Sequence, residues 1–321
     1  MVVVISDLHL SDARPWSYSV SKEIVKTIID SEYNTKGNTL VLLGDLTETA
    51  FPSGYIYDLL LSLFHGLKYK QVYILVGNHD KKPNKQGKLV LSYRFLQSEN
   101  LDKLFPNIAV IDEAILLNIE NKSCLFLPYL FSDSKMKWED YEKMDIKCDI
   151  VFGHFTDNSI MNIHDRTVDI SKIKSEFVCL GHQHNPASNY VGSVVPNSIS
   201  EAGKKRAFWV FDNGVKNIIS LPNICDYYTV TFPDTLPKVK SKFPIWTVLN
   251  CASTEIAQEQ YGEIHVNKTQ YLATMDLNGL TDLGVLGNKE DFTNMKLFEE
   301  WVKEAKYEKE ILSLASGYMT N

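Results

Sequence analysis

A layered α/β fold built on a mostly parallel sheet is what this 321-residue sequence predicts, and three observations carry the prediction. Five apolar runs, each four to six residues long, suit strands buried on both faces. Segments with helical spacing separate the first three runs, and alternation of strand and helix implies parallel pairing. All five runs end in Asp, Asn or His, and four of the five have Gly at the junction. Strand ends of that kind mark a site at the carboxyl edge of a sheet.

The elements follow in order. VVVIS starts at Met1 or Val2 and runs into Asp7-Leu8-His9. A helix is predicted over Ser21–Ser31, where Ile24, Val25, Ile28 and Ile29 recur at helical spacing. Thr39–Leu43 leads into Gly44-Asp45, and a second helix is predicted over Tyr55–Leu67. Val72–Val76 stops on Gly77-Asn78-His79-Asp80. Asp149–Phe152 meets Gly153-His154, and Phe177–Leu180 meets Gly181-His182-Gln183-His184. Glycine at such a junction lets the backbone turn sharply and approach a ligand with no Cβ in the way.

The composition narrows the function classes. A net charge of −7 argues against gripping nucleic acid by charge alone, though not against a protein that uses metal ions and a partner. No stretch approaches the ~18 apolar residues of a membrane span. The opening MVVVISDLHL is too short for a signal peptide, so a cytoplasmic protein with no membrane segment is expected. Cys124, Cys148, Cys179, Cys225 and Cys251 stand singly among apolar residues and read as reduced core side chains.

Asp7, His9, Asp45, Asn78, His154, His182 and His184 offer oxygen and nitrogen donors without a thiolate. That set suits manganese, iron, zinc or magnesium. Seven candidates are too many for one ion and suit two ions sharing a bridging carboxylate. Two ions ~3.5–4 Å apart can clamp a phosphate and generate a hydroxide for in-line attack. A lone Asp-x-His or Gly-His is more often structural; the weight lies in five strands ending alike.

DLH, GD, GNHD, GH and GHQH, in this order, resemble the signature of the calcineurin-like metallophosphoesterases, over Asp7–His184. The resemblance implies a two-sheet α/β/β/α sandwich flanked by helices. It implies one metal on Asp7, His9 and His184, the other on Asn78, His154 and His182, and Asp45 bridging them. His79 would touch the scissile phosphate or protonate the leaving oxygen, with Asp80 fixing its tautomer and orientation.

Within that superfamily the chain resembles the SbcD-type nucleases of DNA repair and recombination. Leu127-Pro128-Tyr129-Leu130 follows a strand at Ser123–Phe126. After GHQH come Tyr190-Val191-Gly192-Ser193, then Ser198, Glu201, Lys204 and Lys205, then a strand at Ala207–Phe211. An α+β segment and a terminal helix follow. Two features depart from the pattern. Leu46-Thr47-Glu48 follows Asp45 where the family more often has a Phe-Asp pair, and the chain is short, which favours a compact phage-type member. The resemblance implies DNA cleavage by exo- or endonuclease action, with manganese preferred and magnesium second. It also implies a coiled-coil ATPase partner of the SbcC type and a homodimer within a heterotetramer. A phosphatase or diesterase for a small phosphoester or nucleotide stays open as an alternative. So does a non-catalytic scaffold, which the full set of competent side chains disfavours.

Local charge offers the residues' own support for DNA. Positions 81–94 hold Lys81, Lys82, Lys85, Lys88 and Arg94 and no acidic residue, so a basic loop could neutralise phosphates beside the one being cut. A solvated surface loop is the equal alternative. Lys204-Lys205-Arg206 is a second candidate.

Residues 1–223 are expected to form the nuclease domain and 224–276 a small α+β capping subdomain. Strands are predicted there at Tyr227–Phe232, Ile245–Leu249 and Gln270–Met275, with Pro233 and Pro237 in turns. Residues 277–321 read as a linker carrying Gly279, Gly284 and Gly287, then a C-terminal helical tail. Met295, Phe298, Trp301 and Val302 recur on that helix, either as a stripe for a partner's groove or as a face docked on its own domain. His65 and His265 read as structural or exposed, and His164-Asp165, in a polar loop after the fourth motif, as structural with DNA contact the alternative.

Overall fold

An apolar run buried on both faces needs a cover on each side, and the computed structural model supplies two different ones. It describes residues 1–97, 104–158, 167–262 and 264–270. The first sheet joins β1 (Val2–Ile5), β2 (Thr39–Leu42), β3 (Gln71–Leu75), β6 (Ile108–Ile111), β13 (Ala207–Asp212) and β14 (Val215–Ser220) in the order β14-β13-β1-β2-β3-β6. β1, β2, β3 and β6 are parallel, and β13 and β14 close one side as antiparallel strands. The second sheet joins β7 (Ile115–Ile119), β8 (Lys122–Leu127), β9 (Lys147–His154) and β12 (Lys174–Gly181) in the order β12-β9-β8-β7. Only the pairing of β7 with β8 is antiparallel there. Two short pairs lie outside the sheets: the hairpin β4 (Lys81–Pro83) and β5 (Leu89–Leu91), and β10 (Thr156–Asp157) beside β11 (Thr167–Val168).

Alternation along each strand decides which cover a side chain meets. Val2 and Val4 of β1, with Val41, Leu43 and Leu75, pack on Phe126, Ile150, Phe152 and Cys179 of the second sheet. Val3, Ile5, Leu40, Leu42, Val72 and Ile74 face the other way, onto α1 (Ser17–Ile29) and α2 (Gly54–Gly66). The second sheet's outer face carries Leu125, Leu127, Val151 and Leu180 against Tyr141 of α3 (Trp138–Glu142). The result is the α/β/β/α sandwich that the resemblance implied. α1 begins at Ser17, before the predicted Ser21, because Val20 extends the stripe of Ile24 and Ile28 by one turn. All five cysteines are buried and free, as expected.

The cap consists of β15 (Cys225–Thr231), β16 (Phe243–Leu249), α4 (Thr254–Tyr261) and β17 (His265–Gln270), its three strands all parallel. Its third strand is His265–Gln270, and the predicted continuation from 271 to 275 lies outside the described residues. Cys225, Tyr227 and Ile245 are buried in the same core as α1 and α2. Met1–Tyr271 is one compact unit. The linker, the tail with Met295, Phe298, Trp301 and Val302, and His164 lie outside the described residues.

One polar clasp joins β8 to β9 inside the second sheet. The Ser123 N–H and hydroxyl donate to the same Asp149 oxygen at 2.7 and 2.6 Å, and Lys122 adds a bond of 3.2 Å. These bonds, the Ser123 hydroxyl first, hold the Asp149 carboxyl down at about 2. A carboxylate depressed in the folded state stabilises the protein above its unfolded pKa, about 3.9, and loses that contribution as pH falls through its folded value. Asp149→Asn should therefore melt below the wild type at pH 7, and the difference should close as pH is lowered from about 4 to about 2; thermal melts across that range check it.

Candidate metal centre

The strand ends bring their loops together by backbone pairing that continues past the sheet. The Asp7 N–H donates to Gly44 O at 3.3 Å, His9 N–H to Asp45 O at 2.9 Å, and Leu10 N–H to Leu46 O at 2.9 Å. Glu48 N–H returns to Leu10 O at 3.2 Å, so the loops after β1 and β2 form one short ladder. Gly77, after β3, crosses this ladder so closely that a Cβ there would lie 2.2 Å from Asp45 Oδ1. Four of the candidate ligands, Asp7, His9, Asp45 and His182, sit in left-handed backbone, with φ of 49°, 45°, 50° and 77°. Such conformations are sparsely populated by residues other than glycine and persist only where the surroundings over-determine them.

All seven predicted donors meet in this place. The donor atoms of Asp7, His9 and His184 lie within 4.8 Å of one another, as do those of Asp45, His154 and His182. Asn78 Oδ1 stands 3.0 Å from His154 Nε2 and 2.8 Å from His182 Nδ1, joining it to the second group. Asp45 Oδ2 lies between the groups, 3.7 Å from His9 Nε2 and 3.3 Å from His154 Nε2. His79 stands over the same carboxylate: its N–H donates to Asp45 Oδ1 at 2.8 Å, and its ring meets that of His9 edge-on at 4.9 Å.

The histidines are aimed by partners on their far nitrogens. His9 Nδ1 faces Glu48 Oε2 at 2.8 Å, His154 Nδ1 faces Leu43 O at 2.6 Å, and His184 Nδ1 faces Glu201 Oε1 at 3.0 Å. A carbonyl or carboxylate only accepts, so each Nδ1 carries the proton and each Nε2 turns into the cluster. His9 Nε2 and His184 Nε2 are 3.0 Å apart, the approach of two lone pairs toward one shared cation.

The charges fit divalent ions. Asp7 and Asp45 are 0 and 1% exposed, and among the described residues their ionic partners within 4.0 Å are histidines only. Burial opposes ionisation of Asp45, yet His154 and His9 hold its carboxyl far below the usual carboxylate range. Burial likewise works against a charged His154, but Asp45 outweighs it and lifts the imidazole to about 9. Burial, with the neighbouring His154 charge, pushes His182 down to about 4, leaving it a neutral donor. Two buried carboxylates with no lysine or arginine beside them are a cation site by their electrostatics.

Several sequence-based expectations change here. Asp80 does not orient His79. Its fully buried carboxylate accepts N–H bonds from Gly77, Asp45 and Leu46 at 2.8–2.9 Å, and the Tyr93 hydroxyl at 3.1 Å, so it braces the loops that carry Asp45 and Asn78. His79 is held instead by the Glu48 carbonyl, 2.8 Å from its Nδ1. Glu48, which departs from the family pattern, thus serves two histidines. Residues 81–94 are a β-hairpin and a short 3₁₀ turn rather than a loose loop. Lys81 leaves the set of free cations, since it pairs with Asp133 at 3.1 Å, while Lys82, Lys85, Lys88 and Arg94 are exposed. Arg206 is buried and donates to His184 O, Ser193 Oγ and Glu201 O, so it braces the GHQH loop and is not free for DNA.

Paired metal-binding groups sharing one carboxylate at the carboxyl edge of a two-sheet sandwich define a metal-dependent phosphoester hydrolase. The chain belongs to the calcineurin-like phosphoesterases, whose family model matches residues 1–186. Among solved structures it is similar to an archaeal phosphodiesterase, at 13% identity over 68% of this chain and 99% of that one, with a TM-score of 0.37. A phosphopantetheinyl hydrolase from Mycobacterium tuberculosis matches at 13% identity over 68% and 87%, with a TM-score of 0.35. A protein of unknown function from Aquifex aeolicus matches at 16% identity over 55% and 87%, with a TM-score of 0.31. No curated protein matches the sequence.

Asp80→Ala separates bracing from catalysis. It strands several buried N–H donors, each worth about 1–3 kcal/mol when unsatisfied. The variant should melt well below the wild type and lose metal content together with activity. Were Asp80 acting through His79, stability and metal content would survive and turnover alone would fall.

Proposed function

We propose that this phosphoesterase hydrolyses DNA phosphodiesters with two divalent cations, manganese foremost, as the nuclease subunit of an SbcCD-type repair or recombination complex. The observation that carries the hydrolytic reading is the pair of buried carboxylates ringed by five imidazoles and an amide, with no lysine or arginine within 4.0 Å among the described residues. On this reading Asp7, His9 and His184 hold one cation, Asn78, His154 and His182 the other, and Asp45 both. Bound there, the cations would supply Lewis acidity toward the phosphoryl oxygens and make water acidic enough to attack at neutral pH. His79 keeps its Nδ1 proton on the Glu48 carbonyl, so Nε2 is the nitrogen left to face the substrate: it accepts a hydrogen bond in the neutral ring and gives a proton to the leaving oxygen only when the ring is doubly protonated.

Support for DNA comes from the resemblance to SbcD nucleases and from Lys82, Lys85, Lys88 and Arg94, exposed on the hairpin and turn that follow Asp80. A small phosphoester is the competing substrate. Linear DNA, mononucleotides and cyclic nucleotides compared with manganese present separate the two: cleavage of DNA is expected, and no cleavage of any DNA overturns the assignment. His79→Ala should retain metal and lose roughly 10²–10⁴-fold in turnover, whereas Asp45→Ala should lose metal. Elemental analysis showing both variants equally metal-poor would refute that division of roles.

A coiled-coil ATPase of the SbcC type is the partner this reading requires, because a chain of net charge −7 has little hold on duplex DNA by itself. Truncation at Gly287 should spare basal manganese-dependent cleavage and abolish stimulation by ATP and the partner. Loss of basal cleavage would instead assign the tail to the protein's own fold.

A further inference from the structure

The loop between β1 and α1 encloses, with the first cap strand, a cavity of about 170 Å³. Its walls include His9 and Glu48 of the metal centre together with Arg14, Trp16, Asn197 and Tyr227. Arg14 is exposed on the rim yet held in place. Its Nη1 donates to the Tyr227 hydroxyl and to Asn267 Oδ1, both at 3.3 Å, and its guanidinium carbon lies 5.3 Å from the centroid of the Trp16 ring. Both acceptors are neutral, and among the described residues no carboxylate pairs with Arg14, whereas Arg206 lies 3.8 Å from Glu201.

A fixed, charged and unpaired guanidinium beside a phosphoesterase centre is a site for a second anion. Its remaining N–H groups form a fork that matches the oxygens of a phosphate. The largely buried Trp16 and Val195 give the cavity an apolar wall, and Ser11 and Asn197 give it hydrogen-bonding groups, a mixture that suits a sugar or base. We propose that Arg14 binds the phosphate next to the one being cut, so that the cavity receives the sugar or base of the nucleotide joining the two. Resting on the phosphodiesterase reading of the metal centre, this makes a second phosphate, one nucleotide away, the feature by which the enzyme selects its substrate. Tyr227 and Asn267 come from β15 and β17, so the cap positions the arginine.

The test compares deoxydinucleotides that differ only in an extra terminal phosphate, 5′ or 3′, as substrates of the manganese-loaded enzyme. One of the extra phosphates should raise kcat/KM about 10–100-fold, the range for hydrogen bonds to a charged group. Arg14→Ala should erase that preference and Arg14→Lys retain part of it. A wild type without preference, or an Arg14→Ala variant that keeps it, overturns the proposal. Calorimetric binding of the same phosphorylated dinucleotides to the metal-free chain reads the subsite apart from chemistry, and Arg14→Ala should weaken it at least about 10-fold. Equal binding by wild type and variant, or none by either, also overturns it. If only a single-phosphate aryl diester is cleaved and no dinucleotide is, the DNA reading falls, and the binding arm still decides on Arg14.

Discussion

Two aspartates are buried with no lysine or arginine beside them among the described residues, and the architecture of this protein is arranged around that cost. An ionised carboxylate out of water is tolerated only when paired or hydrogen-bonded. Asp7 and Asp45 meet the condition with histidine neighbours, with the N–H of His182 donating to Asp7, and with the N–H of His79 donating to Asp45. Asp80, also fully buried, is satisfied wholly from within the chain by N–H groups and the Tyr93 hydroxyl. Burial and the nearby Asp45 charge still push its carboxyl up to about 7. One acidic side chain braces the loops, and two are left for cations.

What the sequence made legible was what lies next to a strand end in the chain. Each apolar run is local, and so is the polar residue that stops it, so the five ligand loops and the strands beneath them could be read without contacts, whereas the division of those strands into two sheets came only from the family resemblance. Partners supplied from afar could not. Asp80 follows His79 directly, but adjacency does not make two side chains face each other, and the carboxylate turns inward to the loop after β2 while the imidazole turns out to Glu48. Glu48 counted as a departure from a pattern, yet it sits 39 positions from the His9 it serves. Arg206 looked like a member of a basic run, and only the fold shows it buried beneath the GHQH loop. Arg14 carried no signal at all, since its hydrogen-bond acceptors come from cap strands more than two hundred residues away. Glu201 was noted only as part of a motif, and its role appears when its carboxylate is found 3.0 Å from His184.

The glycines at the junctions serve the same convergence of loops. Gly44 and Gly77 come so close that a Cβ on Gly44 would lie 2.8 Å from the Gly77 nitrogen. That crossing brings the loop after β3, with Asn78 and His79, over the loop carrying Asp45. Side chains from two separate crossovers can then share one carboxylate, which a sheet alone, with strands ~4.8 Å apart, would hold at arm's length.

The ladder that runs from Asp7–Gly44 to Leu10–Leu46 consists of main-chain bonds alone, and the strained backbone at Asp7, His9 and Asp45 is held by those bonds. The shape of the centre is consequently a property of the polypeptide. The ladder's bonds use no ligand side chain, so the path of the backbone through Asp7, His9 and Asp45 is set independently of the atoms that would meet a cation. With oxygen and nitrogen donors that several divalent metals accept, this frame by itself singles out no one element.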